Sequence, residues 1–197
     1  MKHGPILGLD MSLVSPGISL YTTDNKWIFG GFSPYKSTRY REGCTIYPKI
    51  PSNSSSNITR YMYICDRIIQ FIEKNIDQIE IPLINVIIEG YAFCPRRQGS
   101  SYKLHELGGV LQYCLTKVGI RHIYTIQPSS WKRVLQIHRS HKKSSFDYCR
   151  THVPSFSTLT NKDKQCCHPY EDIADATCLV FWYAIKHKTG PQPGPVS

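Results

Sequence analysis

Four carboxylates stand where their chemistry can combine. Asp10 closes the apolar run Ile6-Leu7-Gly8-Leu9, and Glu89 closes the β-branched run from Ile84 to Ile88. Late in the chain, Asp172 and Asp175 are three residues apart and share one helix face. Each alone has an ordinary explanation: an aspartate after a strand forms turns, and acids in a first helical turn complement the helix dipole. Together, on a basic chain, they make a set of hard oxygen donors suited to Mg2+, which keeps several waters and completes its shell on substrate phosphate. Two such ions about 3.5–4 Å apart activate water and stabilise the leaving oxygen of a phosphodiester. Like charges gathered this closely repel one another without a counter-ion, so the cluster itself predicts metal binding.

The elements that must position these acids follow from periodicity. Ile6 to Leu9 predicts a buried strand ending on Asp10, Pro16-Gly17 a turn, and Ile18 to Tyr21 a second strand. Asp24-Asn25 turns the chain into Trp27-Ile28-Phe29, a third strand. From Ser33 to Asn57 the composition shifts to Tyr, Lys, Arg, Pro and Ser, with one short strand near Thr45 to Tyr47. Ile58, Tyr61, Met62, Cys65, Ile68, Ile69 and Ile72 then fall on one face of a helix, with Asn57 as N-cap. A strand over 84–88 delivers Glu89. A second helix carries Leu104, Leu107, Leu111, Cys114, Leu115 and Val118; its Gly108-Gly109 pair predicts a close helix–sheet contact. His122 to Ile126 is a strand, followed by Gln127-Pro128 and a short helix capped by Ser129. The basic, Ser-rich stretch Arg139 to Ser145 leads into a helical piece from Phe146 to Thr151. The last helix starts at Pro169 and runs to about Lys188. The sum is an α/β fold, a mixed β-sheet flanked by helices, in a single domain over 1–188 with a Pro/Gly-rich tail over 189–197 expected to be disordered.

The chain has 197 residues, 41% of them hydrophobic, enough for one buried core without disulfide staples. Its 24 Lys and Arg outnumber 14 acids, for a net charge of +10, which favours a polyanionic partner. No signal peptide opens the sequence, no basic amphipathic helix marks a membrane surface, and no apolar run approaches the ~18 residues that span a bilayer. The eight cysteines are irregularly spaced and read as reduced thiols of an intracellular compartment. His138, His141, Cys166, Cys167 and His168 do not give the spacing of a zinc site and read as neutral surface histidines and buried thiols, with His168 near the acidic pair. Asn53-Ser54-Ser55 and Asn57-Ile58-Thr59 match glycosylation acceptors, which mean nothing without secretion.

Ile6-Leu7-Gly8-Leu9-Asp10 with Pro16-Gly17-Ile18, Val86-Ile87-Ile88-Glu89 and Asp172-Ile173-Ala174-Asp175-Ala176 resemble, in order and approximate spacing, the RuvC family of Holliday junction resolvases. The resemblance covers roughly residues 6 to 188. It implies an RNase H-like fold, a homodimer, Mg2+ or Mn2+ dependence, and symmetric nicks that leave ligatable ends. Carried residue by residue, Asp10, Glu89, Asp172 and Asp175 are the metal-binding and catalytic tetrad, and Lys132 and Lys143 match basic residues near the scissile phosphates. Gly108-Gly109-Val110 matches the small-residue stretch of the central helix. Met11-Ser12 departs from the glycine turn that follows the first Asp in many members. Tyr91 and Phe93 are the candidates for the aromatic that stacks at the junction crossover, at shifted offsets. Arg96, Arg97, Lys103, Arg133 and Lys142 complete the DNA-binding candidates, and Tyr35, Lys36, Arg39, Tyr40 and Arg41 suit strand contacts by stacking and phosphate pairing.

The expected activity is therefore a crossover-junction endodeoxyribonuclease acting on branched DNA, with no small-molecule cofactor beyond the metal. A sugar kinase or actin-like ATPase shares the core fold but needs two such domains and a phosphate-binding glycine loop, for which the chain is too short. An RNase H-type enzyme or another branched-DNA nickase remains the alternative within nucleases, and a non-catalytic DNA-binding module the alternative outside them.

Overall fold

The computed structural model describes residues 4–33, 39–41, 43–50, 56–90, 98–137, 144–160 and 169–193. Strands β1 (Ile6–Asp10), β2 (Gly17–Tyr21) and β3 (Trp27–Phe32) form an antiparallel meander. A short edge strand, β4 (Arg39–Arg41), pairs antiparallel with β5 (Cys44–Tyr47), which runs parallel to β3. Helix α1 (Asn57–Asn75) and a 3-10 turn at Ile81–Leu83 cross to β6 (Asn85–Glu89), parallel to β1. Helix α2 (Gln98–Lys117) crosses to β7 (His122–Ile126), parallel to β6. Four helices follow: α3 (Pro128–Val134), α4 (Ser144–His152), α5 (Pro154–Thr160) and α6 (Tyr170–His187). Among the described residues seven strands lie in the order β4-β5-β3-β2-β1-β6-β7.

Strand alternation divides the core into two layers. Leu7, Leu9, Val86 and Ile88 point to one face, where Ile64, Ile68 and Phe71 of α1 and Leu107, Leu111 and Leu115 of α2 cover them. Ile6 and Ile87 point to the other, under Phe146, Phe156, Ile173, Leu179 and Phe181 of α4, α5 and α6. The central strand β1 is buried along its whole length, which is why it reads as an unbroken apolar run. No helix among the described residues is long and apolar enough to cross a membrane.

Several local expectations shift. The cap of α1 is Ser56, whose extended backbone frees its Oγ to accept from Thr59 N–H at 3.4 Å; Asn57 is already helical. Helix α3 opens with Pro128 at its first turn after Gln127, so Ser129 lies inside the helix rather than capping it. Gly108 is buried, but a Cβ on Gly109 would meet nothing within 4 Å, so the close contact expected of that pair is absent at Gly109. At the far end of the chain Pro191 is buried and Gly190 lies against Ile6, so the tail packs on the core as far as Pro191; 194–197 lie outside the described residues.

The close approach lies instead under α6. A Cβ built on Gly8 would collide with the Ala176 carbonyl oxygen, and one on Gly17 with the Asp172 carbonyl oxygen. Gly31, in register with Gly17, sits beneath Ile173, and Ser19 Oγ accepts from Thr177 Oγ at 2.9 Å. A lane of small residues thus crosses the sheet and lets the helix backbone rest on it, fixing where Asp172 and Asp175 emerge. Gly17→Ala is expected to lower unfolding free energy by about 1–3 kcal/mol, the usual cost of overpacking, in urea titrations. It is also expected to move the start of α6 and weaken any metal response far more than Gly109→Ala does.

Candidate active site

The register that pairs Leu9 with Ile88 carries on to Asp10 and Glu89, which end adjacent parallel strands. Both fall on the face covered by α6, alternating with Leu9 and Ile88 on the opposite face. Asp10 is also opposite Gly17 in β2, directly below the Asp172 carbonyl. Two strand ends and the first turns of one helix therefore bring all four sequence-selected carboxylates into mutual electrostatic reach.

The cost of this arrangement falls on Asp10, whose side chain is 8% exposed. Burial pushes its ionisation well above the usual carboxylate range, and the charges of Glu89, Asp175 and Asp172 push the same way. Asp10 and Glu89 are close enough to hydrogen-bond, which raises Asp10 further. Burial likewise pushes Asp175 up to about 7; a hydrogen bond from the Ser145 hydroxyl to its Oδ1 and the charge of Lys132 oppose that rise, while Glu89 and Asp172 add to it.

Helices α3 and α4 supply the surroundings. Trp131, fully buried, donates its indole N–H to Glu89 Oε1 at 2.9 Å. The Lys132 ammonium lies 4.9 Å from the Trp131 ring centroid, and its charge reaches Asp175. Sequence reasoning selected Lys132 but missed Trp131 and Ser145. A tryptophan inside the short Gln127-to-Trp131 segment was the only signal for the first, and a serine ending a Ser-rich basic stretch gave none for the second.

Other candidates are placed differently. Arg133 is exposed on α3 beside Lys132, whereas Lys103 is exposed on α2, in the helix layer across the sheet from α6. Tyr91, Phe93, Arg96, Arg97, Lys142 and Lys143 lie outside the described residues, as do Tyr35, Lys36, His138, His141, Cys166, Cys167 and His168. Arg39, Tyr40 and Arg41 form β4. Cys44, Cys65, Cys114, Cys149 and Cys178 are not in disulfides, and the Sγ atoms of the last two lie 3.9 Å apart on α4 and α6.

The chain also has structural likenesses. Thermus thermophilus RuvC, in two structures, one of them in complex with a Holliday junction substrate, matches with a TM-score of 0.56 at 16% identity, over 96% of this chain and 99% of RuvC. The fold is that of RuvC. The yeast mitochondrial Holliday junction resolvase matches with a TM-score of 0.52 at 10% identity, over 92% of this chain and 80% of the resolvase. No protein-family model and no curated protein matches the sequence. The match spans nearly all of both chains, in agreement with the α/β architecture, a mixed sheet flanked by helices, expected from the sequence.

Whether the site suits a divalent ion can be judged on its donors. All four are carboxylates, hard oxygen ligands, and their mutual repulsion is relieved by a positive charge. Among the described residues no three acidic, His or Cys side chains already converge at metal-binding distance. The chemistry of the donor set fits a hard divalent cation.

Proposed function

We propose that the chain is a divalent-metal-dependent endonuclease that resolves four-way DNA junctions by paired nicks. The observation that carries this reading is that Glu89, Asp172 and Asp175 stand within electrostatic reach of Asp10, at the ends of β1 and β6 and the start of α6, on a fold shared with Holliday junction resolvases. Mg2+ or Mn2+ on these oxygens would supply the charge that activates water and stabilises the leaving oxygen of a phosphodiester.

The chain's own residues divide the remaining tasks. Asp10, most buried and subject to the charges of the other three, is the natural shared ligand, with Glu89, Asp172 and Asp175 completing the set. Lys132 offers a positive charge beside Asp175, suited to the charge that develops on a phosphate. Lys143 is assigned the same part from the sequence. Arg133, Lys103, Arg96, Arg97 and Lys142 are proposed to bind the DNA backbone, and Tyr91 and Phe93 to stack at the crossover.

Incubation with four-way junctions, duplexes, flaps and RNA–DNA hybrids, with and without Mg2+, tests the reading. Junctions are expected to be cut preferentially and only with metal; preference for hybrids would make the enzyme an RNase H instead. Binding is expected to weaken by about 10³–10⁵ between 50 and 200 mM salt if six to ten phosphates are contacted. A salt-insensitive complex would remove the charge argument.

The active species is proposed to be a two-fold dimer, because a four-way junction offers symmetry-related strands to two identical sites. Ile58 and Met62 on α1 and Tyr102 and Tyr113 on α2 are exposed apolar or aromatic side chains on the layer away from the site, and Gly109 opens onto free space there. Mixing active subunits with Asp10→Asn subunits on a supercoiled cruciform plasmid should give nicked circles from heterodimers and linear DNA from active homodimers. A monomer on the junction, producing linear DNA only through independent nicks, would sink the paired-nick mechanism.

A further inference from the structure

We infer that Trp131 is a positioning residue of this site: its indole N–H fixes Glu89 in the orientation that accepts metal, and its ring face steadies Lys132. The inference rests on the nuclease reading above and goes beyond it, since Trp131 itself touches neither substrate nor the reacting atoms.

Burial is the first argument. Trp131 is 0% exposed in a helix of only seven residues, and a buried indole N–H requires an acceptor. The acceptor here is a carboxylate oxygen of Glu89, 2.9 Å away. Glu89 ends its strand only half-buried, with three side-chain torsions free to swing it outward. A hydrogen bond to one oxygen removes that freedom and leaves the rest of the carboxylate facing Asp10, its neighbour in the sheet.

Neutrality is the second. A lysine or arginine at this position would hold Glu89 equally well but cancel its charge. An indole orients the carboxylate and leaves its full negative charge for a cation. The third argument is the company that the ring keeps. Lys132 Nζ stands 4.9 Å from the centroid of the same indole, and the Lys132 charge acts on Asp175. One rigid side chain therefore orders a ligand on one strand and a cation that bears on a ligand from α6.

The test uses Trp131→Phe, which keeps an aromatic face for Lys132 but removes the N–H. Mn2+ affinity, read by electron paramagnetic resonance, is expected to fall about ten-fold or more, the usual effect of losing a ligand's hydrogen-bond partner. Affinity for a four-way junction without metal should stay within about two-fold, as no DNA contact is lost. In a Glu89→Gln background the same change should cost no further Mn2+ affinity, because its effect runs through Glu89. Unchanged Mn2+ affinity in a folded Trp131→Phe protein, or an equal loss in both backgrounds, overturns the inference.

A second measurement needs no variant that must fold at this buried site. Of the three indole N–H resonances of the wild-type chain, the one left when those of Trp27 and Trp182 are assigned by single substitutions should move on adding Mg2+, while the other two stay. A stationary Trp131 resonance overturns the inference even if the protein cuts junctions normally. A wild-type chain that neither binds Mn2+ nor cuts any substrate sinks the nuclease reading itself, and the inference with it.

Discussion

Asp10→Asn is expected to abolish junction cleavage, by on the order of 10³-fold or more, as for one member of a group that acts as a unit. Binding to the junction should be unchanged or tighter, because the substitution removes a negative charge from the place where a phosphate must sit. The expectation follows from position: Asp10 is the most buried of the four acids and the one whose ionisation is raised by all of the other three. Asparagine keeps its shape and neutralises it, so a loss of activity reports on charge rather than folding. Glu89→Gln, Asp175→Asn and Asp172→Asn should behave likewise. Cleavage rates and gel-shift affinities on one synthetic junction separate the two effects, and wild-type cutting by any of these variants would exclude that acid from the catalytic set.

The strand-end acids were legible because their signal is local: an apolar run that ends on a carboxylate can be read without knowing its neighbours. What lay beyond local reading was which strand stands beside which. Nothing in Ile84 to Ile88 says that β6 lies next to β1 in a register that aligns Glu89 with Asp10. Glycine misled for the same reason. Gly17 was read as part of a turn, yet it opens β2 and seats α6; Gly109 was read as a close contact, yet faces open space. A missing side chain serves either purpose, and only the partner surface decides which. Helix α5 was missed because Pro154-Ser-Phe-Ser-Thr-Leu-Thr is rich in residues that favour turns, while burial of Phe156 and Leu159 overrides that preference. Trp131 and Ser145 belong to the same class: their meaning lies in hydrogen bonds to residues 42 and 30 positions away.

Metal and pH should act against each other on stability. Asp10 and Asp175 both ionise above their ordinary range in the folded protein, mainly through burial, so the native state holds these protons more tightly than the unfolded chain does. The stability they contribute is present below the unfolded value of 3.8 and is lost as pH climbs, for Asp175 through about 7. In EDTA, the wild-type melting temperature should therefore fall relative to that of Asp175→Asn as pH rises from about 5 to about 8. Between about pH 5 and about 7 the Asp175 share lost is at most roughly 2–3 kcal/mol, or about 5–10 °C for a chain of this size. Saturating Mg2+ should reverse the trend, since it binds the ionised carboxylates and competes with their protons. The metal-induced rise should thus be small near pH 5, grow toward pH 8, and vanish in Asp10→Asn, where the shared ligand is gone. Thermal melts of both proteins across this range, with EDTA or Mg2+, provide the measurement. A wild-type difference that stays flat with pH would mean that burial and neighbouring charge do not raise the ionisation of Asp10 and Asp175 in the folded protein, and that these acids have no need of a cation.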